Sequence, residues 1–221
     1  MFRVKICGVT SSDDAQAAWN AGADAIGLNF YENSPRFVEL ARAEEIVASL
    51  PANVCRVGVF VNADAAHICR TYDQLSLDAI QLHGDEPPPF LGLLGKRPVI
   101  RAFRCRDTGV APVVDYLDKC SALGCVPRFA LLDAYYPGQY GGTGRVFDWT
   151  LVSDSKQLLH GVQVVLAGGL TAENIGEAIA TARPHAVDTA SGVESAPGVK
   201  DVGLVRDFVQ NAEAAFGRLE K

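Results

Sequence analysis

The chain has 221 residues, with 20 Lys and Arg against 26 Asp and Glu for a formal net charge of −6. That length suits one large domain or two small ones, and 48% hydrophobic with 21% charged residues is too apolar a mixture for a disordered or fibrous chain. The acidic balance argues against a nucleic-acid or anionic-membrane partner, since phosphate backbones are gripped by an excess of Lys and Arg.

The amino terminus reads MFRVKICGVT, without the long apolar stretch and small-residue cleavage site of a secretory signal. No apolar run approaches the roughly 20 residues of a membrane helix. The six cysteines include no C-x-x-C pair, so neither a disulfide framework nor a zinc site is suggested and a cytoplasmic setting is expected.

Eight runs rich in Val, Ile, Leu and Phe follow in order: FRVKI, DAIGLNF, RVGVFV, DAIQLH, PVIRAF, FALLD, VQVVLA and HAVDTA. Helical patterns separate them. After the first run Ser11 or Ser12 can cap a helix, Asp13 and Asp14 favour its positive end, and Ala15, Ala18, Trp19 and Gly22 share a face. Leu40, Ala43, Val47 and Leu50 trace a second helix, ended by Pro51, and Leu204, Val205, Phe208, Val209, Ala212 and Phe216 trace the last, as a face packed on the sheet. Repeated βα units predict a parallel sheet. No Ser-Gly linker or charge shift divides the chain, so residues 1–221 are expected to form a single (β/α)₈ TIM barrel with phosphate-binding loops after strands seven and eight. A doubly wound sheet is the alternative, but no G-x-G-x-x-G loop follows the first strand.

Active sites of such barrels lie at the carboxyl ends of the strands. There stand Cys7 on strand one, Arg36 in the loop after strand two, His83 on strand four, Asp133 on strand six and Asp188 on strand eight. Gly168-Gly169, Ser191-Gly192 and Gly141-Gly142-Thr143-Gly144 are candidate phosphate loops, although tight turns also call for glycine. Cys7 reads either as a base, if positive charge lowers its pKa, or as an inert buried cysteine. Lys5, on the same strand face, either tunes Cys7 or is a solvated or core-end lysine. Asp133 reads as a general acid or as a carboxylate capping the next loop, and Asp188 faces the same choice. Arg36 suits a substrate carboxylate or open surface. His83 reads best as a histidine satisfied near a strand end, and Asp85-Glu86 as charges at the start of the next helix.

The stretches VKICGVT, GLNFYENSPRFV, VGVFVN, IQLHGDE, LLDAYYPGQYGGTGRVFDW, LAGGLTAENI and VDTASGVESAPGVKD together resemble the phosphoribosylanthranilate isomerase family from end to end. The resemblance implies an Amadori rearrangement in tryptophan biosynthesis with Cys7 as base and Asp133 as acid. Arg36 would hold the anthranilate carboxylate, Gly142, Gly169, Ser191 and Gly192 the phosphate, and Asp188 the sugar hydroxyls. Ala190 departs from the family's usual Ser-Ser-Gly. No cofactor and no metal is implied, the partner is a small phosphosugar with no nucleic acid or membrane, and the chain is expected as a monomer or homodimer. Two related phosphosugar barrels fit less well: the histidine-pathway aminoaldose isomerase pairs two aspartates where this chain has Cys7. Indole-glycerol-phosphate synthase needs a strand-three lysine where this chain reads Gly58-Val59-Phe60-Val61-Asn62. A non-catalytic barrel that binds a phosphorylated metabolite is the remaining class.

Overall fold

Each apolar run becomes a strand, in a computed structural model that describes residues 2–105, 109–133, 149–155, 159 and 161–220. Parallel strands β1 (Val4–Cys7), β2 (Ala25–Asn29), β3 (Cys55–Phe60), β4 (Ala79–Leu82), β5 (Val99–Arg104), β6 (Phe129–Asp133), β7 (Gln163–Ala167) and β8 (Ala186–Thr189) close into a barrel in chain order. The closing seam pairs β8 with β1. Helices α1 (Ser12–Asn20), α2 (Leu40–Ala48), α3 (Ala65–Gln74), α4 (Pro88–Gly92), α5 (Ala111–Ala122), α6 (Thr150–Ser155), α7 (Ile175–Ala182) and α8 (Val202–Leu219) alternate with the strands.

The strands are buried on both faces, which explains why they read as continuous apolar runs. Ala25, Val57, Ile100, Leu131 and Val165 belong to the inner core, whereas their strand neighbours Ile26, Ala130, Leu132 and Val164 belong to the core shared with the helices. Phe2 and Phe129 stack at 5.4 Å between ring centroids and fill the barrel at the amino-terminal end of the strands. The opposite end is left to polar side chains. Ser11 caps α1 by accepting from the Asp14 N–H, and α8 buries Val205, Phe208, Val209, Ala212 and Phe216, the stripe expected from its period.

One element has no counterpart among the expected ones. After β8 the chain makes a short 3₁₀ turn, Ser191–Val193, and then an antiparallel hairpin of β9 (Glu194–Ala196) and β10 (Val199–Lys200). Its turn holds Gly198 at φ +82°, where a Cβ would stand 2.8 Å from the Pro35 carbonyl oxygen, and Thr10 Oγ1 donates to the Gly198 carbonyl at 2.6 Å. The hairpin therefore seats on the loops that follow β1 and β2. Among the described residues no helix is long and apolar enough to cross a membrane.

Candidate active site

Lys5 and Cys7 lie two residues apart on β1 and so share the face turned to the barrel axis. Both lean over Gly27 of β2, where a Cβ would stand 2.7 Å from Cys7 Sγ and 3.1 Å from Lys5 Nζ. Only glycine leaves room for both groups; a glycine inside a strand is a signal of close approach that the sequence reading did not use. Lys5 is fully buried, and its Nζ donates to Asp188 Oδ1 at 2.8 Å. Burial opposes its charge, but the Asp188 carboxylate and the Cys7 sulfur win and hold the ammonium above the ordinary lysine value. Burial raises the Cys7 thiol, with Lys5 pulling the other way by charge and hydrogen bond. It likewise raises the Asp188 carboxyl, again against the pull of Lys5.

Across the barrel mouth, Asp133 ends β6 and His83 follows β4, with His83 Nε2 3.5 Å from Asp133 Oδ2. Gln81 Nε2 lies 3.0 Å from His83 Nδ1, a contact that fixes how the ring is turned. His83 is thus satisfied near its strand end, as the sequence suggested, and it also stands beside the acid candidate. Gln81 was not singled out in the sequence; its Oε1 is buried with no hydrogen-bond partner among the described residues. Asp188 lies within electrostatic reach of both His83 and Asp133, so strands one, four, six and eight converge on one polar cluster.

Arg36 is positioned locally by the end of β2. Asn29 Nδ2 donates to Ser34 Oγ at 3.1 Å, and Ser34 Oγ in turn accepts from the Arg36 N–H at 3.1 Å. The guanidinium is neither an open-surface group nor directed at solvent: Nε and Nη2 donate to the two carboxylate oxygens of Glu194 at 2.7 and 2.6 Å. Burial works against the Glu194 carboxylate, but Arg36 and Lys200 hold its pKa below the ordinary glutamate value. Lys200 Nζ reaches Glu194 Oε1 at 2.8 Å and the Ala190 carbonyl at 3.1 Å. Glu194 and Lys200 were visible only as part of VESAPGVKD, with no role attached.

Glu86 departs from its sequence reading. Rather than a solvated charge at a helix start, it is buried, its Oε1 accepting from the Asn62 N–H at 2.8 Å and its Oε2 from the Gly84 N–H at 3.0 Å. It ties the loop after β3 to the loop that carries His83. Arg101 backs it, with Nη2 donating to the Gly84 carbonyl at 3.0 Å and Nη1 3.5 Å from Glu86 Oε2.

The loops after β7 and β8 touch. Thr189 Oγ1 donates to the Leu170 carbonyl at 2.8 Å, and a Cβ on Gly192 would overlap that same oxygen. Gly168 and Gly169 both take left-handed conformations, at φ +90° and +65°. Gly169 and Ser191 are exposed at the mouth, so backbone N–H groups of both loops can face one anion. Gly142 and the rest of the 141–144 loop lie outside the described residues. Among the described residues no group of three His, Cys, Asp or Glu side chains has the geometry of a metal site. A thiol beside a buried ammonium, with a carboxyl at a strand end across the same barrel mouth, is an arrangement suited to moving a proton.

Comparison with known proteins points the same way. Residues 4–211 match the model of the family described as N-(5'phosphoribosyl)anthranilate (PRA) isomerase. The chain is 47% identical over 217 residues to N-(5'-phosphoribosyl)anthranilate isomerase of Geobacter metallireducens, covering 97% of this chain and 100% of that one. The crystal structure of phosphoribosyl anthranilate isomerase from Thermotoga maritima superposes with a TM-score of 0.86 at 38% identity, over 97% of this chain and 100% of that one. A second crystal structure of a phosphoribosyl anthranilate isomerase, in complex with reduced 1-(o-carboxyphenylamino)-1-deoxyribulose 5-phosphate, has a TM-score of 0.82 at 36% identity, over 97% and 100% of the two chains.

Proposed function

This chain belongs to the N-(5'-phosphoribosyl)anthranilate isomerase family, and we propose that Cys7 is the base and Asp133 the acid of its reaction. It is an isomerase of tryptophan biosynthesis that converts N-(5-phosphoribosyl)anthranilate to 1-(2-carboxyphenylamino)-1-deoxyribulose 5-phosphate by an Amadori rearrangement. The observation that carries the assignment of roles is the placement of Cys7 against the buried Lys5 ammonium, with Asp133 and His83 on the strands across the same mouth.

Asp133 gives its proton to the ribose ring oxygen as the bond from that oxygen to the anomeric carbon breaks. The nitrogen lone pair forms the carbon–nitrogen double bond of a Schiff base. Cys7, as thiolate, then removes the proton from the adjacent sugar carbon, and the electron pair passes into the Schiff base to give an enolamine. Its enol form tautomerises to the amino-ketose. The change is internal to the substrate, so the reaction as proposed needs no nicotinamide or flavin, and its steps assign no role to a metal.

Lys5 offsets part of the burial penalty on the thiolate, and Asp188, which accepts from Lys5, meets the sugar hydroxyls. Arg36 takes the anthranilate carboxylate, with a two-pronged geometry suited to it. Gly169, Ser191 and Gly192, together with Gly142, take the phosphate. Anchoring the substrate at both ends holds the reacting carbons between base and acid, which is worth more to the rate than either grip alone. The substrate is the only partner this reading requires, and it places the chain in the cytoplasm as a monomer or homodimer.

The test is a fluorescence assay in which anthranilate and phosphoribosyl pyrophosphate are joined by the preceding transferase and loss of the glycoside is followed. C7A and D133N should each abolish turnover while still binding the reduced product analogue. Turnover that survived C7A would leave the isomerase standing and remove Cys7 as its base.

A further inference from the structure

The β9–β10 hairpin brings a buried ion-pair network to the base of Arg36 from 158 residues further along the chain. The Glu194 side chain is 4% exposed and that of Lys200 is 0% exposed, so neither is a rim charge free to adapt. A guanidinium offers five N–H donors in one plane, and Glu194 takes two of them, Nε and Nη2, which sets that plane. Lys200 holds Glu194 in turn, and its bond to the Ala190 carbonyl anchors this support in the loop after β8, next to Ser191 and Gly192. On the opposite side Arg36 lies across Gly8, where a Cβ would stand 3.1 Å from its Cγ and would overlap its Cδ. Gly8 is the residue after Cys7. The network thus spans from the loop of the phosphate grip to the backbone of the base, with Arg36 in the middle.

We propose that Glu194 and Lys200 are positioning residues that aim Arg36 at the aromatic carboxylate of the substrate and thereby set the preference for a carboxylated aromatic amine. This rests on the assignment of Arg36 to that carboxylate. Burying two charges beside a third is costly unless the geometry is used. Here the geometry gives a rotatable arginine one fixed orientation before substrate arrives, so binding does not have to spend energy on ordering it. The role also accounts for a two-strand hairpin whose turn is seated on Thr10 and Pro35, the segments flanking Gly8 and Arg36.

The experiment measures binding, by calorimetry, of two reduced product analogues that differ by one group: 1-(2-carboxyphenylamino)-1-deoxyribitol 5-phosphate and its phenylamino counterpart without the carboxyl. Wild type should prefer the carboxylated analogue strongly, and R36M should lose that preference. E194Q, whose amide presents an N–H to one of the guanidinium donors, should cut the preference by on the order of ten- to a hundredfold, the range spanned by a charge-assisted hydrogen bond, with binding of the phenylamino analogue unchanged. K200M should act in the same direction, and E194D, which keeps the charge on a shorter arm, should recover part of the preference. Equal weakening of both analogues by E194Q and K200M would mean a merely structural network and would overturn the proposal. An undiminished preference in E194Q beside a lost one in R36M would overturn it while leaving Arg36 on the carboxylate. A preference that survives R36M would remove the Arg36 assignment itself. If E194Q fails to fold, E194D and K200M carry the same comparison.

Discussion

Lys5 Nζ and Asp188 Oδ1 meet at 2.8 Å across the β1–β8 seam, where the two residues are also backbone register partners. The bond therefore ties the first strand to the last at the point of closure, inside the barrel, with the Lys5 side chain fully buried and that of Asp188 8% exposed. Removing one partner leaves the other charge buried and unpaired, which costs about 3–5 kcal/mol. K5M should lower the melting temperature by on the order of 10 °C for a chain of this size. K5M/D188L, which removes both charges, should recover most of that loss while remaining inactive. Equal melting temperatures for K5M and wild type would show that the pair does not carry the seam.

The same lysine bears on how Cys7 ionises. As the proposed base, Cys7 acts when deprotonated, and burial raises its pKa against the pull of Lys5. Turnover also needs Asp133 protonated, so thiolate formation is read more directly by alkylation of Cys7, taken as the difference between wild type and C7A. The alkylation rate should climb through neutral pH into the alkaline range, by up to about tenfold per pH unit while the thiol predominates. K5M removes the opposing charge and leaves Asp188, which raises the thiol further, so its climb should lie at higher pH. Stability behaves differently. The folded pKa of Lys5 is raised, so its stabilising contribution is complete below the unfolded value of about 10.4 and is lost only as pH rises through the higher folded value. Melting temperatures recorded alongside alkylation rates should therefore stay level, with respect to Lys5, where alkylation accelerates. A climb that tracked a loss of stability would report opening of the fold rather than ionisation of Cys7 within it.

Glu86 accepts two backbone N–H groups, those of Asn62 and Gly84, and a neutral amide can serve only one of them with its single oxygen. E86Q should therefore destabilise the fold by about 1–3 kcal/mol, the cost of a buried donor left unmade. Because Gly84 follows His83, the variant should also move the His83 ring relative to Asp133. Chemical denaturation reads the first effect, and an NMR shift of the His83 ring protons reads the second. An E86Q protein with unchanged stability and an unmoved ring would show that the loop is held by other contacts.

How far the sequence reached depended on range. The strands were legible because a parallel barrel buries both faces of each one, so DAIGLNF and FALLD read as apolar runs and their final residues fall at the mouth. Cys7, Asp133 and Asp188 were found by that rule alone, as polar side chains at the ends of apolar strands. The role of Glu194 could not be found in this way, because its meaning comes from Arg36, 158 residues away, through a hairpin too short to show a period. Glu86 was misread for a related reason: its place just before Pro87 and Pro88 fits a helix start, but its partners are backbone groups of two loops, which leave no mark in composition. Lys5 stood between tuning Cys7 and a solvated or core-end lysine; its burial and its bond to Asp188 remove the solvated reading.

Gly8 joins Cys7, the proposed base, to Arg36, the proposed carboxylate grip, and its substitution separates two effects that usually travel together. It stands at φ +70°, where a side chain costs roughly 1–2 kcal/mol of backbone strain. A Cβ there would also overlap Arg36 Cδ and crowd Arg36 Cβ at 3.2 Å, forcing the arginine off Glu194. G8A should therefore lose stability by more than strain alone and bind the carboxylated product analogue less well. In an R36A background the overlap with Cδ is gone and only strain and the milder crowding against Cβ remain, so the cost of G8A should fall toward the strain figure. The double-mutant cycle, read by denaturation, should show a coupling of about 0.5–3 kcal/mol. Additive costs would mean that Arg36 does not rest on Gly8, and the link between the two halves of the site would have to run elsewhere.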